Sequence, residues 1–297
     1  MNNQLKTILL LGALSALVIG LGSSLAPGSW PVFLVISLAM NLGAYFFSDK
    51  IVLRTSGAQE IEPDQAPELH AIVEELSARA QIPKPRVYLI PGQQPNAFAT
   101  GRNPEHGAVA VTEGIVELLD RRQLRGVIAH ELAHIKNRDI LVASLAAAGA
   151  SIISYAAHML SFAAFFGSSR DEEEGVAEGG ILAAIVAPIA ATLIQLGISR
   201  SREYLADEAG ARMSGDPEAL AQALLKIERA ASVMPLAAPE ATASLYIINP
   251  LGAAASLARL FSTHPATEER VARLMALAQR SAGHGSYRPR SVALIQG

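Results

Sequence analysis

Apolar residues are distributed along the chain in two unlike patterns. Thr7–Leu25, Pro31–Ser48, Ile140–Gly167 and Gly180–Ile198 are continuously apolar. Runs of this length predict membrane-spanning helices. Thr7–Leu25 would rise about 28 Å as a helix, close to the hydrocarbon thickness of a bilayer. The turn Ala26–Trp30 (APGSW) joins it to the second run. Pro31 suits a first helical position there, and Trp30 suits a membrane interface. The acidic segment Arg170–Glu178 (RDEEEGVAE) separates the last two runs. Two other readings stand beside this one. The first run has the outline of a signal peptide, although a second apolar run follows at once. The last two, rich in Ala and Gly, could be buried helices of a large core.

Elsewhere the pattern is periodic. Leu69, Ile72, Val73 and Leu76 fall on one face of an amphipathic helix over Pro67–Ala80. Arg86–Ile90 reads as a strand ended by Pro91-Gly92. Asn96–Thr100 and Gly107–Thr112 alternate, and Gly101–His106 joins them as a hairpin in a small sheet. Thr112 can cap a helix running through Leu119. Asp120 with Gln123 forms a capping-box pattern ahead of a helix over Arg121–Asn137. A further amphipathic helix covers Ala266–Leu277, after an Ala- and Gly-rich stretch, Ala237–Ala258, that reads as a lid or a linker. No internal repeat is visible. The expected fold class is mainly α with a small β-sheet, in a multi-pass helical membrane protein. Its parts are an N-terminal transmembrane hairpin (1–48), a first catalytic part (49–139), a second transmembrane hairpin (140–199) and a second catalytic part (200–297).

Charge sharpens this reading. Only 17% of the 297 residues are charged, against about 25% in soluble domains. The deficit is confined to three charge-free blocks, Thr7–Ser48, Ile140–Ser169 and Gly179–Ser199. That excludes a disordered or simply soluble chain. Lys6, Lys50, Arg54, Lys136, Arg138, Arg200 and Arg202 flank the runs on one side, and Arg170 alone lies on the other. The bias places both termini and the polar bulk in the cytoplasm. A net charge of −3 without basic clusters gives no reason to expect nucleic acid. With no cysteine, disulfides, thiolate metal sites and a Cys nucleophile are all excluded.

The helix over Arg121–Asn137 carries His130-Glu131-Leu132-Ala133-His134. Positions i and i+4 share a helix face, so both imidazoles can reach one ion. Glu131 can then reach a water at that ion without crowding its ligands. A catalytic zinc needs a third protein ligand and an open position. The extended motif H-E-x-x-H-x-x-G-x-x-H fails, because Asn137 and Ile140 hold those places. Glu203, just past the fourth apolar run, is the candidate. Asp207, four residues on and on the same face, is assigned to the spare N–H of His130. The competing reading is a solvated helix end with ordinary i,i+4 pairs. Two spans return the chain to the face it left, so His134 and Glu203 meet just above the membrane surface.

These motifs resemble the HtpX family of membrane zinc metalloproteases, distant relatives of the CAAX prenyl proteases. The resemblance extends along most of the chain. It includes the leading hairpin followed by Phe47-Ser48-Asp49-Lys50, then Pro95-Asn96-Ala97-Phe98-Ala99 and the H-E-x-x-H. It continues through Ser201-Arg202-Glu203-Tyr204 with Ala206-Asp207, Ser262-Thr263-His264-Pro265 and Glu269-Arg270. It implies a zincin-like (gluzincin) catalytic domain with one Zn2+ per chain on His130, His134 and Glu203, and Glu131 as general base. It implies endopeptidase activity at the cytoplasmic face of the bacterial inner membrane, in stress response and quality control. Its partners would be the bilayer and damaged or misfolded membrane proteins. It suggests Asn96, Ala97, Phe98 and Ala99 as an edge strand pairing with substrate backbone. His264 and Arg270 are candidate oxyanion stabilisers, and His264 can equally pack at a helix start.

The other histidines lack ligand spacing. His158 lies within the third run, His70 on the polar side of its helix, His106 in a hairpin turn and His284 in a Gly-rich tail. Two rival functions are an intramembrane zinc protease and a non-catalytic metal-binding membrane scaffold. Arg121, Arg122, Arg125, Lys136 and Arg138 argue against the first, because they put the motif helix in water. Glu131 argues against the second, because ligation alone does not need it.

Overall fold

The computed structural model describes residues 3–25, 28–149, 200–233, 245–248 and 265–284. His158, His264 and all but the start of the second apolar hairpin lie outside the described residues. The described chain is mainly helical with one small sheet.

α1 (Asn3–Leu25) and α2 (Trp30–Thr55) form the N-terminal hairpin. Asn41 Nδ2 fastens the two by donating to Leu11 O (3.2 Å) and Ser15 Oγ (2.7 Å). Trp30, Val35, Leu38 and Leu42 of α2 stand exposed. Among the described residues, α2 is the one helix long and apolar enough to cross a membrane. It does not stop at Ser48, where the charge-free run ends. Charges end an apolar surface, not a helix, and α2 continues to Thr55 with Asp49, Val52 and Leu53 buried. Asp49 Oδ2 accepts from Arg86 Nη2 (3.1 Å), which ties the helix to the sheet.

The sheet has the order β1 (Gln59–Glu60), β2 (Arg86–Ile90), β4 (Ala108–Thr112), β3 (Ala97–Thr100). β2 and β4 are parallel; β3 returns antiparallel on β4 and forms an edge. The hairpin between them turns through a 3-10 segment, Pro104–His106. Side chains alternate between two buried faces, as the pleat requires. Val87, Ala97, Ala99, Val109 and Val111 enter the main core, with Leu76 of α3 (Pro67–Ala80), Ile115 of α4 (Glu113–Leu118) and Ile128 of α5 (Arg121–Lys136). Tyr88, Ile90, Phe98, Ala108 and Ala110 face a second cluster with Val52 of α2, Ala147 of α6 (Ile140–Gly149) and Tyr246.

The predicted caps form. Thr112 accepts from Ile115 N, and Asp120 with Gln123 makes a reciprocal capping box. α5 then packs against α3, β3, α7 (Arg200–Ser214) and α8 (Pro217–Val233). The last helix, α9 (Thr267–His284), packs on α8 and α7 and runs seven residues past Leu277. His70 corrects the sequence reading, which left it on a polar face. It is buried, with Nε2 3.0 Å from Ile61 O, because the chain after β1 crosses over that side of α3.

Candidate active site

Three elements converge on one point. α5 presents His130 and His134 from successive turns, their rings edge to face at 4.8 Å. α7 crosses α5 with Glu203, Asp207 and Gly210 spaced i, i+4, i+7 along one face. The crossing is close because position 210 has no side chain. A Cβ there would lie 2.7 Å from His130 N. β3, the last strand of the sheet, supplies the third wall and packs against α5.

His130 Nε2 and His134 Nε2 are 3.2 Å apart. Glu203 Oε1 lies 3.4 Å from His134 Nε2, and Oε2 lies 3.7 Å from His130 Nε2. Ligands on a tetrahedral ion at about 2.0–2.1 Å are about 3.3 Å from one another. Two imidazoles and a carboxylate at these spacings fit one divalent cation, and among the described residues these three form such a group.

The remaining imidazole nitrogens meet carboxylates. His130 Nδ1 lies 2.9 Å from Asp207 Oδ1. His134 Nδ1 lies 3.4 Å from Asp139 Oδ2. Each carboxylate has an arginine behind it. Arg270 Nε and Nη2 donate to Asp207 Oδ2 and Oδ1 at 2.8 and 2.7 Å, and Arg202 Nη1 lies 3.5 Å from Asp139 Oδ1. Such outer partners fix the tautomer that leaves Nε2 available to a metal. Asp139 and Arg202 were missed by the sequence reading. Asp139 follows His134 by five residues, a spacing that no helix face brings together. Arg138 takes a left-handed conformation (φ 57°), and the chain turns back so that Asp139 N donates to His134 O.

The electrostatics follow from burial. Burial pushes the Glu131 carboxyl up to about 7. His134 draws it down, Glu203 adds to the rise, and the Ala99 N–H bonds to it. Burial would lower His134, but Glu203 and Asp139 outweigh it and hold it at about 9. Burial lowers His130. It would raise Asp207, yet the charge and hydrogen bonds of Arg270 hold that carboxyl well below the usual carboxylate range.

Asn96, Ala97, Phe98 and Ala99 lie on and beside the β3 edge. Thr112 N donates to Asn96 O. In an antiparallel ladder this alternation turns the peptide groups of Ala97 and Ala99 outward. Arg270, read as an oxyanion candidate, is placed behind Asp207 and almost wholly buried, with Nη2 3.4 Å from His130 Nε2. His264 lies outside the described residues.

Residues 63–278 match the profile of peptidase family M48. The chain is 54% identical over 285 residues to the protease HtpX homolog of Ralstonia nicotianae, covering 94% of this chain and 98% of that one. It is 50% identical over 280 residues to the protease HtpX homolog of Pelotomaculum thermopropionicum, covering 93% and 99%. It also resembles the crystal structure of S. mikatae Ste24p with a TM-score of 0.48 and 17% identity, over 92% of this chain and 65% of that one.

Proposed function

Since the chain belongs to peptidase family M48 and is a metalloprotease, we propose that it is a zinc-dependent endopeptidase of the bacterial inner membrane. Its substrates in this reading are damaged or misfolded membrane proteins. The observation that carries the proposal is the convergence of His130, His134 and Glu203 beside a buried Glu131 and the edge strand β3. His130, His134 and Glu203 would hold the ion, with no cysteine in the chain to favour a thiolate site. When bound, zinc would supply Lewis-acid polarisation of the scissile carbonyl and acidify the attacking water.

The chain's own groups do the rest. Glu131, with its carboxyl held near neutrality, takes a proton from the water and passes it to the leaving amine. Asp207 and Asp139 orient the imidazoles. An extended substrate backbone would pair along the β3 edge at Ala97 and Ala99, a mode that requires no particular side-chain sequence. That suits an enzyme with many unfolded clients. The catalytic domain (49–139 with 200–297) is gluzincin-like and cytoplasmic, with both termini, and hangs from transmembrane hairpins at 1–48 and 140–199. The Lys/Arg bias and the exposed apolar surface of α2 support that topology. α5 packs among α3, α7, α8 and the sheet, which favours this reading over an intramembrane protease.

Detergent-solubilised protein should cleave casein, stop with chelator and recover with zinc. Glu131→Gln should keep stoichiometric zinc while losing at least a hundredfold in rate. Glu203→Ala should lose the metal itself. Full cleavage by purified Glu131→Gln would overturn the assignment, and unchanged zinc in Glu203→Ala would move the third ligand elsewhere.

A further inference from the structure

The outer edge of β3 has a partner within the chain. Ile247 N donates to Ala97 O at 2.9 Å. The Ile247 carbonyl accepts from Arg270 Nη1 at 2.9 Å. One residue on, Ile248 O accepts from Asn96 Nδ2 at 2.9 Å, and Ile248 N lies 3.5 Å from Asn96 Oδ1. One residue back, the Tyr246 ring stands edge-on to Phe98 at 5.1 Å. Tyr246 and Ile247 are each 1% exposed, so this is a seated contact and not a passing one.

Each contact is one that a bound peptide would make. Pairing with an edge strand satisfies a peptide's N–H and carbonyl groups on fixed partners, and the flanking pockets take its side chains. Arg270 links this contact to the metal centre. The guanidinium that holds the Ile247 carbonyl also holds Asp207 behind His130. Ile247 thus lies beside the residues that would bind the ion, along the strand whose Ala99 N–H reaches Glu131.

We propose that Tyr246–Ile248 is an intramolecular occupant of the peptide groove, competing with substrate for Ala97, Asn96 and Arg270. The proposal rests on the endopeptidase reading and goes beyond it in assigning a built-in competitor. The same contacts define the ligand class. It is an extended peptide with a branched aliphatic residue at the Arg270 position, its carbonyl on that guanidinium and its N–H on Ala97. Because only the vacated fraction of the protein can bind, apparent affinity falls in proportion to that fraction.

Two variants test this. Ile247→Pro removes the N–H that Ala97 receives. Tyr246→Ala removes the ring from Phe98 and leaves the backbone bonds. The first readout does not depend on hydrolysis. It is fluorescence polarisation of a labelled Leu-Tyr-Ile-Ile peptide on full-length protein carrying Glu131→Gln. Ile247→Pro should tighten peptide binding at least fivefold and Tyr246→Ala at least twofold. The second readout is casein cleavage by the zinc-loaded protein, where both variants should lower KM and leave kcat within twofold. The unlabelled peptide should compete with casein more strongly in Ile247→Pro than in the parent. If both variants melt within a few degrees of the parent and bind the peptide no better, the competitor is ruled out and the segment is a fixed wall. If the parent cleaves no casein but the peptide binding tightens as stated, the occupant stands and the endopeptidase reading fails.

Discussion

At the scale of single residues, the site is organised as two imidazole–carboxylate–guanidinium chains, and they are not equal. His130–Asp207–Arg270 is short and almost wholly buried, with 2.7–2.9 Å contacts throughout. His134–Asp139–Arg202 is looser, at 3.4 and 3.5 Å. Removing a carboxylate that orients a metal-bound histidine lowers metal affinity about 10–100-fold. Asp207→Asn should reach the upper end of that range. It also leaves Arg270 a buried cation without the carboxylate charge it is paired with, which costs about 3 kcal/mol or more. Asp139→Asn should fall at the lower end with little loss of stability. Zinc titration of both proteins alongside thermal melts measures the two quantities separately. Equal effects on affinity would show that the difference in geometry has no energetic counterpart.

At the scale of elements, the decisive feature is the crossing of α5 and α7. Gly210 of α7 sits against the backbone of Ala129 and His130 in α5. Gly210→Ala inserts a methyl where 2.7 Å is free and forces the helices apart. Overpacking of this kind costs about 1–3 kcal/mol. Here it would also draw Glu203, seven residues earlier on the same face, away from the imidazoles. The variant should therefore lose zinc affinity as well as melting temperature, although residue 210 touches no ligand oxygen or ring nitrogen. Tight zinc binding in a destabilised Gly210→Ala protein would separate the crossing from the site. A second element-scale prediction concerns Gln81, which closes α3 in the left-handed region (φ 58°). Gln81→Gly removes the Cβ penalty there and should raise stability by about 0.5–1 kcal/mol in thermal unfolding.

These elements also show what the sequence could and could not express. Local codes were legible. The apolar spacing of Leu69, Ile72, Val73 and Leu76, the Thr112 cap and the Asp120–Gln123 box each act within one helical turn, and the structure repeats them. Glu203 and Asp207 were legible because i,i+4 spacing is itself a helical statement. Asp139 was not, because its approach to His134 depends on one left-handed residue, Arg138. The burial of His70 depends on a chain crossing and not on its own helix. The pairing of Ile247 with Ala97, 150 residues apart in the chain, left no periodic signal in either segment.

At the scale of the whole molecule, α2 joins two environments. Its first half presents bulky apolar side chains outward, and its last turns carry Asp49 into contact with Arg86 and Val52 into the cluster beneath the sheet. A continuous helix, held to α1 through Asn41 and to the sheet through Asp49, fixes the distance and tilt of the sheet relative to whatever surrounds the apolar half. The β3 edge, one strand beyond β4, is thereby held at a set distance from that apolar half. If the surroundings are a bilayer with the catalytic domain in the cytoplasm, Ser29 before α2 and Lys50 near its end lie on opposite sides. The chain contains no cysteine, so one introduced thiol reports one position. Ser29→Cys should react with an impermeant maleimide in spheroplasts, and Lys50→Cys only after the membrane is opened. The reverse pattern would invert the topology and put the active site outside the cell. Labelling of both in intact spheroplasts would mean that α2 does not cross. In that case its exposed apolar face must be covered by protein, and the continuity of α2 into the sheet would set a packing distance within the molecule instead of a height above a membrane.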